Sequence, residues 1–170
     1  MSNINEFTGL PKPWTIKTSK THNQEYYYNP ETQESTWNIP TGSDESKLNA
    51  YLSKGLNKPS KVRASHLLVK HKDVRRPSSW KEQTITRTRE EAIEILKKYQ
   101  DQINRGESTL GDLAYDNSDC SSHSKKGDLG FFGRGEMQPS FEKAAFDLQV
   151  GEVSDIVESN SGVHLIERTG

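Results

Sequence analysis

The spacing of apolar and polar residues divides the chain into three stretches with different rhythms. In residues 10–40, short strand-like runs alternate with turn residues: Trp14–Lys17, Glu25–Asn29 and Glu34–Trp37, the second dense in tyrosine. Asn29-Pro30-Glu31-Thr32 places proline for a type I bend, and a polar loop from Thr18 to Asn23 separates the first two runs. Three strands in so few residues hold together only around a compact aromatic cluster. From Ser43 the rhythm becomes helical. Leu48, Tyr51 and Leu52 share one face, Ser43 is a good N-cap, Asp44 and Glu45 suit the first turn, and Lys54 and Gly55 suit the end. The pattern predicts a helix over 44–54. A helix this short is marginal alone in water, so it is expected to dock its Leu/Tyr face on a domain.

The remainder alternates strands with helices. Val62–Val69 reads as a buried strand, followed by a polar, basic loop to about Thr86. Thr88-Arg89-Glu90-Glu91 is a capping-box pattern that opens a long helix, with Ala92, Ile93, Leu96, Tyr99 and Ile103 inward and Gly106 beyond its end. Thr109–Asn117 reads as a second helix, and glycine-rich Gly127–Gly133 as a short strand with close backbone approach. Pro139 suits the first turn of a helix running to about Leu148, with Phe141, Ala145 and Phe146 apolar. Val153–Val157 and Val163–Arg168 read as two strands around a Ser161-Gly162 turn. The expected class is α+β: a small three-stranded antiparallel sheet, a helical linker, and an antiparallel sheet surrounded by helices.

Composition narrows this picture. In 170 residues only 30% are hydrophobic and the mean hydropathy is −0.93, so a large core is not expected. There is no apolar run of bilayer-spanning length, and the first residues lack the basic-then-apolar order of a secretory signal. One cysteine, Cys120, has no internal partner, which fits a reducing compartment, nucleus or cytosol. The net charge of −1 hides an asymmetry: residues 62–105 carry a net +5 and residues 106–170 a net −7. The basic excess concentrates in 62–81, with six cations and one acid. A local cationic spot suits a small anionic ligand, whereas nucleic acid meets a broader basic face, so no direct nucleic-acid contact is expected.

The front stretch resembles the WW domain family through Trp14, Tyr26-Tyr27, Asn29, Trp37 and Pro40. The tryptophans stand 23 apart with an aromatic run midway, and the proline follows three after the second. Pro13 stands where related members often have glycine. The resemblance implies that Trp14 and Pro40 pack as a structural buckle, while Tyr26 and Trp37 form a groove for a proline ring. Docking a preformed extended segment costs little ordering entropy. Ser19 and Lys20 match the serine and arginine of phosphate-binding members, with lysine a weaker fork than arginine.

The rest resembles the parvulin peptidyl-prolyl isomerases. The resemblance rests on Ser65-His66-Leu67-Leu68-Val69, Asp119-Cys120-Ser121-Ser122, Lys126 to Gly130, Met137-Gln138 with Phe141-Glu142, and Gly162 to Ile166. With the loop from Lys70 to Trp80 and the front module, the chain looks like the WW-containing parvulins that act on phospho-Ser/Thr-Pro. This implies a WW domain over 8–41, a linker over 42–61 and an isomerase domain over 62–170. It implies Lys70, Arg75 and Arg76 as a phosphate clamp, and Leu129, Met137, Gln138 and Phe141 as the proline pocket. The catalytic set is His66, Cys120, Ser161 and His164. Trp80 is assigned to packing, and His71 receives no role.

By pattern alone His66 and His164 are buried strand histidines. The resemblance places them side by side beneath the site, bonded to each other and to a hydroxyl, for which Ser159 and Ser161 are candidates. Cys120 with two histidines invites a thiol-hydrolase reading, but the acidic stretch Asp116–Asp119 is expected to disfavour a thiolate. Cys120 and His123 spell a C-x-x-H pair too sparse for a zinc site. Rotation about a prolyl bond breaks no covalent bond, so no cofactor or metal is expected. The implied partners are phospho-Ser/Thr-Pro proteins, among them the RNA polymerase II C-terminal repeat tail and cell-cycle phosphoproteins. The chain is expected to be a monomer of nucleus and cytoplasm, with no membrane partner. A phosphopeptide-binding adaptor without catalysis is the alternative.

Overall fold

The computed structural model describes residues 3–170, which form two units, one ending at Pro59 and one spanning Ser60–Gly170. In the first, β1 (Thr15–Ser19), β2 (Gln24–Asn29) and β3 (Glu34–Thr36) form an antiparallel sheet in the order β1-β2-β3. The second turn is closed by Asn29, whose Oδ1 accepts from the backbone N–H of Glu31 at 2.9 Å and of Thr32 at 3.2 Å. Trp37 falls just beyond β3, not inside it as the pattern predicted.

The linker helix α1 spans Glu45–Ser53. Its N-cap is Asp44, which accepts from Lys47 N–H at 3.2 Å, while Ser43 donates instead to the Pro40 carbonyl at 2.6 Å. The predicted cap is thus displaced by one residue, because Asp44 has the extended backbone a cap needs and Ser43 is consumed by the preceding turn. Leu48 and Tyr51 are buried, and Leu48 packs with Leu10 and Tyr27 beside Trp14, Ile16 and Leu52. Full burial of one such leucine contributes about 1.5–3 kcal/mol. The helix therefore belongs to the core of the first unit and completes what a three-stranded sheet cannot bury alone.

In the second unit β4 (Lys61–Val69) pairs antiparallel with β5 (Asp128–Gly133) and β7 (Gly162–Arg168), and β7 pairs with β6 (Val157–Ser159), in the order β5-β4-β7-β6. Side chains alternate across a strand, and both faces of β4 and β7 are covered. One face packs Leu67, Val69, Val163 and Leu165 against α2 (Arg89–Asn104) and α3 (Leu110–Asn117). The other packs Val62, Ala64 and Ile166 against α4 (Pro139–Asp147) through Phe141, Ala145 and Phe146. By that alternation His66 and His164 lie on the α4 face.

The capping box at Thr88 and Glu91 forms as expected, and Pro139 opens α4. Val153–Val157 is not a strand: Val153 makes only an isolated bridge with Glu167, and β6 begins at Val157. Ser154 is the reason, since its hydroxyl takes the Ile166 N–H at 3.0 Å, and Asp155 Oδ1 takes the N–H of Ile156 at 2.8 Å, which turns the chain. A 3-10 turn at Ser121–Lys125, which the sequence pattern did not signal, follows Cys120. Among the described residues no helix is long and apolar enough to cross a membrane.

Candidate active site

The floor of the site is the histidine pair. Register sets His66 opposite Ile166 and Leu68 opposite His164, so the two rings are diagonal neighbours on adjacent strands. They stack with centroids 5.1 Å apart, and their Nδ1 atoms meet at 2.9 Å. Ser159 Oγ meets His164 Nε2 at 2.6 Å, so the chain runs hydroxyl, imidazole, imidazole. Phe141 sets its edge against both rings at 5.4 and 5.2 Å. Burial, then the charge of neighbouring His66, pushes His164 down to about 3, so it stays neutral. Neutral His164 has one ring proton, so it can donate in only one of its two contacts, Nε2 with the Ser159 hydroxyl or Nδ1 with His66 Nδ1; the other nitrogen of His66 is Nε2.

That Nε2 is buried without a well-formed hydrogen bond, as is the hydroxyl of Ser122. Both interact with Cys120, which is half-buried. Burial raises the thiol, but the hydrogen bonding and charge of His66, with Ser122, outweigh it and bring Cys120 down to about 6. The expectation that the preceding acids disfavour a thiolate is therefore overturned. Asp119 turns its carboxylate away, accepting from Lys70 N–H at 2.9 Å and from the Ser79 hydroxyl at 3.0 Å.

Gly127 makes this floor possible. Its φ is +83°, and a Cβ there would meet the His66 carbonyl at 2.3 Å. Gly162, at φ +142°, likewise lets the β6–β7 turn press on Val69, whose carbonyl a Cβ would meet at 2.6 Å.

The apolar side is Phe141, buried, with Leu129 and Met137 partly buried against the same cluster. Gln138 joins it to its surroundings. It precedes α4, donates through Nε2 to Ser161 Oγ at 3.1 Å, and accepts from Asn160 N–H at 2.8 Å. Of the two candidate hydroxyls, Ser159 is the histidine's partner. Ser161 turns instead toward Gln138 and into the wall of the neighbouring cavity. That cavity, about 280 Å³, is walled by Lys70, Arg75, Arg76 and Ser161. Met137 and Phe141 are not in its walls; Gln138, which follows Met137 in the chain, bonds to Ser161 in that wall. Among the described residues neither Arg75 nor Arg76 pairs with a carboxylate. Trp80 is half exposed, donates to the Ser118 carbonyl at 2.6 Å and stacks on His123 at 3.8 Å. His71 is buried and accepts from Asp73 N–H.

The first unit carries its own cavity, about 560 Å³, whose walls include Ser19, Lys20, His22, Tyr26 and Trp37. Tyr26 and Trp37 meet edge to face at 5.8 Å, and Trp37 is 48% exposed, so the pair is surface and not core. His22 was not foreseen from the sequence; it lies edge-on to Trp37 at 5.2 Å and its backbone N–H donates to Ser19 Oγ at 3.2 Å. Only its place in the loop could have signalled it.

Residues 66–170 match the family model of the PPIC-type peptidyl-prolyl isomerase domain, the rotamases, and residues 10–40 match that of the WW domain. The chain belongs to the PPIC-type peptidyl-prolyl isomerases, the parvulins, with a WW domain at its N-terminal side. It is 49% identical over 171 residues to the peptidyl-prolyl cis-trans isomerase ESS1 of Saccharomyces cerevisiae, covering 99% of each chain. It is 48% identical to the peptidyl-prolyl cis-trans isomerase pin1 of Schizosaccharomyces pombe, covering 95% of this chain and 97% of that one. Among solved structures, the peptidyl-prolyl isomerase ESS1 from Candida albicans is similar at 52% identity and a TM-score of 0.77, covering 98% and 99%.

Proposed function

We propose that this isomerase acts on Xaa-Pro bonds preceded by phosphoserine or phosphothreonine, without covalent chemistry. The observation that carries the reading is the cavity of Lys70, Arg75, Arg76 and Ser161, whose Ser161 bonds to Gln138, the residue between Met137 and the start of α4. A phosphate brings a charge of about −1.5 to −2 and three acceptor oxygens, which unpaired guanidinium groups meet with charge-assisted bonds. Rotation of the prolyl bond faces a barrier of about 18–20 kcal/mol, and only contacts stronger with the twisted amide than with either planar form lower it. In this reading Leu129, Met137 and Phe141 hold the proline ring. Cys120, poised near neutrality by His66, sets the charge near the turning carbonyl, and His164 with Ser159 fixes the orientation of His66.

The WW domain is proposed to tether phosphorylated Ser/Thr-Pro segments, with Tyr26 and Trp37 on the proline and Ser19 with Lys20 on the phosphate. The partners proposed are phosphoproteins of nucleus and cytoplasm, the RNA polymerase II C-terminal repeat tail among them, met by a monomer. The test is the paired replacement Arg75→Ala with Arg76→Ala. Losing two charge-assisted contacts at about 1.5 kcal/mol each lowers kcat/KM on a phospho-Ser-Pro peptide by roughly a hundredfold. The unphosphorylated twin should keep its rate. An unchanged preference for the phosphorylated peptide contradicts the clamp. Cys120→Asp should keep isomerising and cleave no peptide; loss of all activity would favour a nucleophilic thiol.

A further inference from the structure

The basic loop that follows β4 runs from Lys70 to Thr88 without helix or strand, yet it must hold cations at fixed places. It is tied at Arg75, whose N–H donates to the Asn160 carbonyl at 3.2 Å, and between its ends, where Arg87 Nη1 donates to the Lys70 carbonyl at 2.7 Å; further bracing comes from one short segment, 117–119. Asp119 has a side chain only 1% exposed. Its Oδ2 accepts from Lys70 N–H at 2.9 Å and from Arg87 Nη1 at 3.3 Å, at the two ends of the loop. Its Oδ1 accepts from the Ser79 hydroxyl at 3.0 Å and lies 3.5 Å from Lys81 Nζ, at the middle. The same segment takes Trp80 Nε1 on the Ser118 carbonyl and Lys81 Nζ on the Asn117 carbonyl, each at 2.6 Å. The segment itself is fixed to β4, where Asp119 N–H donates to the Leu68 carbonyl at 2.8 Å and Ser118 Oγ accepts from Leu68 N–H at 3.0 Å.

We propose that Asp119 is a positioning residue that gives the enzyme its selection of phosphorylated substrates; the inference rests on the phosphate reading above. A buried carboxylate is tolerated only when it is paired and hydrogen-bonded. Lys70, Ser79, Lys81 and Arg87 of the loop supply those partners, so the arrangement is in place before any ligand arrives. The brace also sorts the cations. Arg87 and Lys81 are spent on Asp119, with Glu82 adding to Arg87, and Lys70 Nζ donates to the Ser78 carbonyl at 2.8 Å, whereas among the described residues Arg75 and Arg76 stand at the cavity without a carboxylate. Preorganised cations lose less freedom on binding a phosphate than a slack loop would. The next residue is Cys120, so one anchor sets both the charge cavity and the thiol.

The experiment measures kcat and KM of the full chain on a phospho-Ser-Pro peptide and its unphosphorylated twin, for the wild type, Asp119→Asn, Ser79→Ala and Arg87→Gln. Asparagine keeps the size and removes the charge that Arg87 and Lys81 answer. The ratio of kcat/KM between the two peptides should fall about tenfold in Asp119→Asn, mainly through KM, the loss of one charged hydrogen bond. Ser79→Ala and Arg87→Gln remove single anchors and should lower the ratio about threefold each. A merely structural role would lower both peptides together and leave the ratio alone. If Asp119→Asn does not fold, the two anchor variants decide. Ratios within about twofold of wild type in the folded variants overturn the proposal. A wild type with no preference for the phosphorylated peptide instead overturns the phosphate reading itself.

Discussion

In the proposed reading the two units each set a cation near a place for a proline ring, and they do it in opposite ways. In the first, aromatic area leads: Trp37 and Tyr26 stand open on a sheet, with Lys20 as an exposed cation in a loop held by little beyond Ser19 and His22. In the second, charge leads: three cations wall a smaller cavity, and the loop that carries them is braced from inside by a buried carboxylate. Size explains the difference. A three-stranded sheet has one packed face, already filled by Leu10, Tyr27 and Leu48, and no interior in which to hide an acid. The larger unit has two covered sheet faces and can bury Asp119 and two histidines between them. A small module recognises with what it exposes; a larger one recognises with what it first fixes from beneath.

The strongest way to break the comparison is Leu48→Ala. The cavity left by a buried leucine costs about 2–5 kcal/mol, which should lower the unfolding temperature of the first unit and leave turnover of a short peptide by the second intact. An unmoved first transition in a thermal scan would show that α1 does not complete that core. Next is Trp37→Ala. An exposed aromatic anchor is worth about 2 kcal/mol at a binding surface, so phosphopeptide affinity of the WW groove should drop roughly thirtyfold by titration, with no change in stability. A comparable loss of stability would mean the ring is core.

A pH effect separates the interiors. His164 is held at about 3 against 6.5 when unfolded, chiefly by burial, so below pH 6.5 the unfolded chain takes up a proton that the folded chain refuses. Stability of the second unit should therefore be fully present above that pH and fall as pH drops toward 3, with a slope approaching about 1.4 kcal/mol per pH unit. Denaturant titrations between these limits check it, and in His164→Asn the contribution should vanish. The smallest change is Lys20→Arg, which should tighten phosphopeptide binding by the first unit about threefold, since arginine offers a fork where lysine offers a point. No gain would mean that the phosphate is not met by that loop.

Much of this was legible in the sequence. The strand pattern placed β4 and β7, and with them both histidines, and the capping box and Pro139 located α2 and α4. The roles of those residues came from resemblance to known families, because alternation reports burial and says nothing of partners. What stayed hidden depended on direction in space. Ser159 and Ser161 are two apart, and which of them meets His164 follows from β6 starting at Val157, a start fixed by side chains of Ser154 and Asp155 capturing backbone groups. Along the chain the acids before Cys120 are its neighbours. The structure turns Asp119 to the other side and gives the thiol His66 from a distant strand. His22 had no signal beyond its loop, since an exposed histidine beside polar residues reads as solvent-facing.

A phosphate held by Lys70, Arg75 and Arg76 is proposed to bring the adjoining prolyl bond onto the surface of Phe141 and Cys120. The most direct measurement is magnetisation-transfer NMR of cis/trans exchange in a phospho-Ser-Pro peptide and its unphosphorylated twin, each with a catalytic amount of the full chain. Exchange in the phosphorylated peptide should rise far above its slow spontaneous rate, while the twin stays close to its own. Equal acceleration of both peptides, or of neither, would contradict the account.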